Sequence, residues 1–362
     1  MNAKVIVPDA GKANRILVIS DIHGSLELLK RLLHKVGFCE RDFLVLLGDY
    51  IEKGPENLKT LRYVMELSKK PNVCALTGNC DTIWEDVRYE RYHENLLRYM
   101  LWRKESVLNE MCLEHGIFIR DGMDKASMQE RLLRAYDAEF TWLCELPHII
   151  DTPALTFVHA GITNEDLAAQ DANECMICKA FMENAPYFSK YVIVGHWPTV
   201  NYTAYTNGLL SHMPIIDNEK RVISIDGGNV VKRAGQLNCL IYADGAFSSA
   251  FVDNLPIRTV TAPQAGRGEP VSVTWMHNEI DLLYRGEDDS AVILKHTGQR
   301  VLIPNDYLFE KDGTHFCRDY TSYVMPLNVG DTVSIVEMHG KRALVKRNGV
   351  LGWVNQALLT VN

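Results

Sequence analysis

Five short polar motifs, each placed after a run of β-forming residues, constrain this chain more than any other feature. They are Asp21-Ile22-His23-Gly24 after RILVIS, Gly48-Asp49 in and after FLVLLG, Gly78-Asn79-Cys80-Asp81 closing NVCALTG, Val158-His159-Ala160-Gly161 after ALTFV, and Val194-Gly195-His196-Trp197 closing YVIVG. Short apolar runs of this kind read as buried strands, and open α/β sheets collect their ligands at the carboxyl ends of such strands. The side chains delivered there are carboxylate, amide oxygen and imidazole, the donors that divalent cations take. Two cations a few ångströms apart need one ligand that bridges them, and Asp49, central in the series, is the natural bridge. Asp21 and His23 lie two apart, so both turn toward one cation as the strand unwinds; Asn79, His159 and His196 complete the second. Taken singly, each motif has an ordinary reading, since an Asp-x-His after a strand is commonly a helix cap and a Gly-Asn-x-Asp a turn. Five in this order point to a two-metal site.

The series resembles the calcineurin-like metallophosphoesterase superfamily, and within it the phosphoprotein phosphatase branch that also contains symmetrical diadenosine tetraphosphate hydrolases. Gly48-Asp49-Tyr50-Ile51-Glu52-Lys53-Gly54-Pro55 is similar to the phosphatase string Gly-Asp-x-x-Asp-Arg-Gly-Pro, and His159-Ala160-Gly161-Ile162 with Gly195-His196-Trp197 is similar to the tetraphosphatases. The resemblance covers roughly residues 15 to 245. It implies an α/β (α+β) fold, a four-layer β-sandwich flanked by helices. It also implies attack on phosphorus by a hydroxide held between two divalent cations, with no phosphoenzyme. Manganese is the leading expectation among Mn, Fe, Zn, Ni and Mg, although the ligand types do not choose between them. The expected catalytic groups are Asp49, Cys80, Asp81 and Lys53, and Lys53, Asn79 and Trp197 are expected to face the substrate. Asp226-Gly227-Gly228 resembles an Asp-Thr-Gly that supports the metal site of bacterial relatives; a plain turn is the alternative.

Three departures from the family pattern bear on substrate. Where phosphatases carry Gly-Asn-His, the His being the general acid, this chain has Cys80. A thiol is a weak hydrogen-bond donor, so poor leaving groups such as Ser and Thr alkoxides should suffer most. Gly-Asn-Cys-Asp is similar to a small phosphodiesterase branch, which favours diesters, phosphoanhydrides or aryl esters, and Asp81 is expected to be able to orient an imidazole restored at position 80. Lys53 replaces an Arg, which loosens a bidentate phosphate clamp to a point charge. No Arg occurs between His159 and His196, where phosphoprotein phosphatases keep a second phosphate-binding Arg; Lys179 and Lys190 are the substitutes at hand. The leading expectation is a dinuclear metal-dependent phosphoesterase acting on a phosphoprotein or nucleotide. The alternatives are a dinucleoside polyphosphate hydrolase or phosphodiesterase, and a weakly active phosphate-binding scaffold.

Helical spacing of Leu26, Leu29, Leu32, Leu33 and Val36 predicts a helix stopped by Gly37, and a second runs from about Asn57 to Lys69 before Pro71. Residues 82–148 read as a helical cap inserted into a catalytic domain of residues 1–253, with Trp84, Tyr89, Tyr92, Tyr99 and Trp102 as aromatics that face helix packing more readily than substrate. Trp197, Tyr202 and Tyr205 are the aromatics expected to line the cleft. The stretch TAPQAGRGEP, within 254–270, reads as a linker, and 271–362 as a small all-β, SH3-like accessory region with a weak internal repeat. That region is a possible site for a protein partner.

With 362 residues, 47% of them hydrophobic, and a formal charge of -8, the composition suits a globular protein and argues against nucleic-acid binding. No apolar run approaches a membrane span, no signal-peptide core precedes the first strand, and a cytoplasmic location follows as the expectation. Nine cysteines, an odd number, fit reduced thiols, and Cys175 and Cys178 read as helix positions rather than a metal or redox pair.

Overall fold

Strand Arg15–Ile19 has no polar face: Ile16 and Val18 point to one side and Leu17 and Ile19 to the other, all four buried. Because side chains alternate along a strand, such a run needs apolar partners above and below. Ile16 and Val18 join Phe43, Val45, Phe157, Ile193 and Ile223 in one core. Leu17 and Ile19 join Leu44, Leu46 and the helix residues Leu29, Leu32, Leu61 and Val64 in another. The first core lies between two sheets and the second between a sheet and helices. One sheet runs Ala246–Val252, Leu237–Ala243, Arg15–Ile19, Asp42–Leu46, Val73–Ala75, with its last three strands parallel. The other runs Val5–Ile6, Ile149–Asp151, Leu155–Val158, Tyr191–Val194, Val222–Ser224, Ile215–Asp217. The short helix Phe181–Asn184 lies against strand Val222–Ser224.

The computed structural model describes residues 1–11, 13–89 and 95–360. They divide into two units, Met1–Pro198 with Pro214–Asn254, and Thr199–Met213 with Leu255–Asn362. In the first unit, helix α1 (Leu26–Val36) ends at Gly37, which takes the left-handed conformation at φ 63° and turns its N–H back to His34 and Leu33. Helix α2 (Asn57–Leu67) follows. Residues 82–148 carry α3 (Ile83–Tyr89), α4 (Leu96–Trp102), α5 (Val107–Glu114), α6 (Lys125–Ala135) and α7 (Asp137–Glu145). Their apolar residues Val87, Leu96, Met100, Leu108, Met111, Leu132 and Phe140 share the core of α1 and α2, so the insertion thickens the helical layer. Trp84 and Tyr89 pack edge to face; Tyr92 lies outside the described residues. Among the described residues, no helix is long and apolar enough to cross a membrane.

The second unit is all β apart from short 3-10 turns, with a four-stranded sheet Ile257–Thr259, Thr332–His339, Arg342–Arg347, Val350–Asn355 and a three-stranded sheet Ile280–Arg285, Asp289–Leu294, Arg300–Pro304. The two halves of the weak repeat are both antiparallel hairpins followed by a 3-10 turn. Two boundaries differ from the sequence reading. Residues 254–270 are no free linker: Ile257–Thr259 pairs with Thr332–Ser334, and Gln264 exchanges backbone hydrogen bonds with Leu327. Their Pro and Gly residues serve turns, and composition alone does not separate a turn-rich strand from slack chain. Residues 199–213 leave the first unit as well, with Leu210 accepting from the Leu351 amide and His212 donating to Gly349.

Helix α2 starts without a side-chain cap of its own. Glu110 on α5 supplies one: the Asn57 and Leu58 amides each donate to its carboxylate at 2.8 Å, and Asn57 Nδ2 donates at 2.9 Å. A carboxylate at a helix N-terminus also meets the favourable end of the helix dipole. Glu110→Ala strands those donors, and we expect it to lower the stability of the first unit by about 2 kcal/mol in urea unfolding, with Glu110→Gln in between. An unchanged midpoint would show that apolar packing alone holds α2 to α5.

Candidate metal centre

Five strands stop just short of a candidate group: Ile19 before Asp21, Leu46 before Asp49, Ala75 before Asn79, Val158 before His159 and Val194 before His196. The chain then turns sharply, with left-handed φ at Asp21 (55°), His23 (46°), Asp49 (53°) and His196 (62°). For non-glycine residues this conformation costs on the order of 1–2 kcal/mol each, and strain of this kind gathers at functional sites. Two glycines let the turns close on one another. A Cβ on Gly78 would meet Asp49 Oδ1 at 2.3 Å, and one on Gly195 would meet Asp21 Oδ2 at 2.4 Å.

Asp49 stands at the centre and is 1% exposed. Its Oδ2 lies 3.7 Å from His23 Nε2 and 3.9 Å from Lys53 Nζ. Its Oδ1 lies 3.5 Å from His159 Nε2 and accepts the Cys80 amide at 2.8 Å. The two oxygens of one carboxylate therefore face two different sets of donors. Asp21 Oδ1 is 3.8 Å from His23 Nε2, and Asp21 Oδ2 accepts the His196 amide at 3.0 Å and the Ser20 hydroxyl. Asn79 Oδ1 is 3.2 Å from His159 Nε2, and the His159 and His196 rings are 5.1 Å apart. His159 Nδ1 lies 2.7 Å from the Leu47 carbonyl and His23 Nδ1 lies 3.3 Å from that of Ile51. A carbonyl there calls for N–H at Nδ1 and leaves the Nε2 lone pairs directed at Asp49.

The electrostatics suit a cation. Burial pushes His23 and His196 down to about 3, with Lys53 adding to the effect at His23 and His159 at His196, so both imidazoles are neutral donors at ordinary pH. Burial, then the charge of Asp49, raises Asp21. Burial alone would raise Asp49 too, but His159, Lys53 and His23 outweigh it and hold that carboxyl below its usual range. Among the described residues, Asp21, Asp49 and His159 offer ligand atoms within 4.8 Å of one another, and so do His23, Asp49 and Cys80. Two buried carboxylates and three imidazoles fit divalent cations in charge and in donor chemistry.

The family pattern of calcineurin-like phosphoesterases matches residues 14–200, more than half of the chain and all five motifs. The chain belongs to the calcineurin-like phosphoesterases. It is 26% identical over 164 residues to the asymmetrical bis(5'-nucleosyl)-tetraphosphatase PrpE of Halalkalibacterium halodurans, a match covering 42% of this chain and 59% of that one. It is 31% identical over 167 residues to a symmetrical bis(5'-nucleosyl)-tetraphosphatase of Escherichia coli, covering 44% and 47%. This calcineurin-like phosphoesterase thus spans about half of the length of the curated relatives it matches. A solved metallophosphoesterase from Sphaerobacter thermophilus, 18% identical, superposes over 66% of this chain and 88% of its own with a TM-score of 0.38.

Around the centre, several residues differ from the sequence reading. Asp81, expected among the catalytic groups, accepts the amides of Asp49 (2.7 Å), Tyr50 (2.9 Å) and Gly78 (2.9 Å) and is fully buried. Its Oδ2 accepts two of these amides and its Oδ1 one, so it ties the Asp49 turn to the Asn79 turn. Lys53 does stand in the cleft, 3.4 Å from His23 Nε2. Burial would lower it, but Cys80, Asp49 and Asp21 outweigh burial and keep it charged. Asp226 accepts the Gly228 amide at 2.7 Å, as in a turn, and burial and then Asp21 push its carboxyl well up. Trp197 is 9% exposed, with its ring beside that of His196. Tyr202 and Tyr205 fall in the second unit, and Tyr202 is fully buried. Lys190 is held by Asp151 and the Thr152 carbonyl, whereas Lys179 is near enough to contribute to the depression of His196.

A cavity of about 720 Å³ opens from the centre, sharing Lys53, Asn79 and Cys80 with it. Its far wall comes from α4 and the residue after it: Arg98, Tyr99, Trp102 and Arg103. Glu52 joins the two halves, accepting the Tyr99 hydroxyl, the Ser106 hydroxyl at 2.9 Å and the Val107 amide at 2.8 Å. Arg103 lies 4.5 Å over the Trp102 ring, and its buried Nε has no hydrogen-bond partner among the described residues. Sequence reasoning missed Arg98, Arg103 and the Glu52 anchor, because neither spacing nor motif marks a cap residue that folds back over the site.

Asp81→Asn preserves shape but turns one acceptor into a donor facing backbone amides. We expect metal uptake about tenfold weaker or worse with secondary structure retained, as for other supports of ligand geometry. Native affinity in that variant would show that the Asp49 turn holds its shape without Asp81.

Proposed function

We propose that this chain is a dinuclear metal-dependent phosphohydrolase for substrates with good leaving groups, nucleoside polyphosphates and activated diesters ahead of phosphoproteins. The observation that carries the reading is Asp49, whose Oδ2 and Oδ1 face His23 at 3.7 Å and His159 at 3.5 Å, beside a cavity lined by Lys53, Asn79, Arg98, Trp102 and Arg103. Asp21, His23 and Asp49 would hold one cation, and Asp49, Asn79, His159 and His196 the other. When bound, such a pair lowers the pKa of water, neutralises phosphate charge and orients the ester.

The remaining work falls to side chains of this chain. Lys53 meets a phosphate oxygen as a point charge, and the Arg98 and Arg103 guanidiniums offer the planar, forked donors that polyphosphates favour. Arg103 so takes the part for which the interval between His159 and His196 holds no Arg. The exposed Trp102 ring, 70% accessible, offers a face on which a base can stack. Cys80 bears on the leaving group. Burial, then Asp49, pushes its thiol well above the ordinary range, so it releases a proton poorly. A positioned acid contributes about 10²–10⁴-fold, and substrates whose leaving groups need no proton lose least without one. The relatives named bis(5'-nucleosyl)-tetraphosphatases point the same way.

The test compares diadenosine tetraphosphate, a bis-aryl phosphodiester and a phosphoserine peptide with metal-reconstituted full-length protein. We expect kcat/KM for the first two to exceed that for the peptide by at least about 10²-fold. Arg103→Ala should raise KM for the dinucleotide while leaving the aryl diester within a few-fold. Equal rates on the peptide would overturn the substrate reading. Tight phosphate binding without turnover of any of the three would favour a phosphate-binding scaffold.

A further inference from the structure

Cys80 opens the short turn Cys80–Thr82, where its amide is locked onto Asp49 Oδ1 at 2.8 Å. That bond fixes the Cα and turns Sγ into the cleft, 3.5 Å from Asn79 Nδ2. There the sulfur joins His23 and Asp49 in a group whose ligand atoms all lie within 4.8 Å of one another. Ligand atoms on one four-coordinate cation sit roughly 3.3–3.8 Å apart for bonds of about 2.0–2.3 Å. The His23 to Asp49 separation, 3.7 Å, is already in that range. One positive group already stands beside two of them: the Lys53 ammonium is 3.4 Å from His23 Nε2 and 3.9 Å from Asp49 Oδ2. The other eight cysteines, among the described residues, stand in no comparable group with His, Asp or Glu.

We propose that Cys80 is itself a ligand of the metal centre, its thiolate sharing one cation with His23 and Asp49, and that the site takes a thiophilic ion such as Zn²⁺ or Co²⁺ ahead of Mn²⁺ or Mg²⁺. The inference rests on the dinuclear reading above. Coordination moves the thiol proton to solvent and forms a sulfur–metal bond. Carboxylate and amide oxygen favour hard ions, imidazole already suits the later first-row ions, and a thiolate tips the balance further toward the softer end of the row. A coordinated thiolate has no proton to give, which accords with substrates whose leaving groups depart unprotonated.

Full-length protein, stripped of metal with a chelator and titrated with Co²⁺, tests this without any turnover. We expect a thiolate-to-cobalt charge-transfer band in the near ultraviolet that saturates together with the visible bands of bound Co²⁺. Cys80→Ser, with Cys80→Ala as a second variant should the first fold poorly, should still take up Co²⁺ but lack the ultraviolet band. Cys39→Ser, at an exposed thiol, should keep it. In Zn²⁺ against Mn²⁺ competition, the native protein should favour Zn²⁺ about tenfold or more beyond the Cys80→Ser variant. Stoichiometric Co²⁺ uptake by the native protein without the band, or a band that survives both Cys80 substitutions, overturns the proposal and leaves the dinuclear reading standing. Failure to bind Co²⁺ at all overturns both.

Discussion

The three backbone amides that donate to Asp81 are the constraint on which the centre depends. They come from Asp49, Tyr50 and Gly78, two turns that follow neighbouring parallel strands. One buried carboxyl thus accepts from both turns at once, and those bonds set the distance between the Asp49 and Asn79 turns. Once that distance is set, Asp49 presents one oxygen to each side, and His159 reaches it from the other sheet. The left-handed residues at the strand ends persist because the turns are held from several directions at once.

The two-sheet core explains why such a site can be rigid. Strand Arg15–Ile19 is buried on both faces, so its carboxyl end cannot shift without disturbing packing above and below. The helices of residues 82–148 share that core, and Glu52 ties α4 and α5 to the loop that carries Lys53. One buried acid thereby links the candidate metal centre to the cavity wall: the same loop places Lys53 beside Asp49 and anchors the wall that bears Arg98, Trp102 and Arg103.

Much of this arrangement is legible in the sequence, and the reason is local. Strands with two apolar faces, the α1 periodicity ending at Gly37, and polar groups directly after the strands are all short-range patterns. What is not legible depends on partners distant in the chain. Asp81 reads in the sequence as a partner for residue 80, and its three amide contacts, which tie two turns together, carry no motif. Arg103 carries no motif, and its place in the cavity follows from how α4 packs. Residues 199–213 continue smoothly from His196 in sequence, yet their hydrogen bonds run to Gly349 and Leu351. The Pro- and Gly-rich stretch within 254–270 shows the same limit, since composition reports turns but not whether a strand lies between them.

The central claim is that Asp49 joins two cations. Electron paramagnetic resonance of the full-length protein titrated with Mn²⁺ tests it directly, because ions sharing a carboxylate couple magnetically while isolated ions do not. The account predicts a spin-coupled spectrum that grows to two Mn²⁺ per chain and gives way to uncoupled signals in Asp49→Asn. Saturation at one Mn²⁺ per chain, or two ions with no coupling in the native protein, would contradict it.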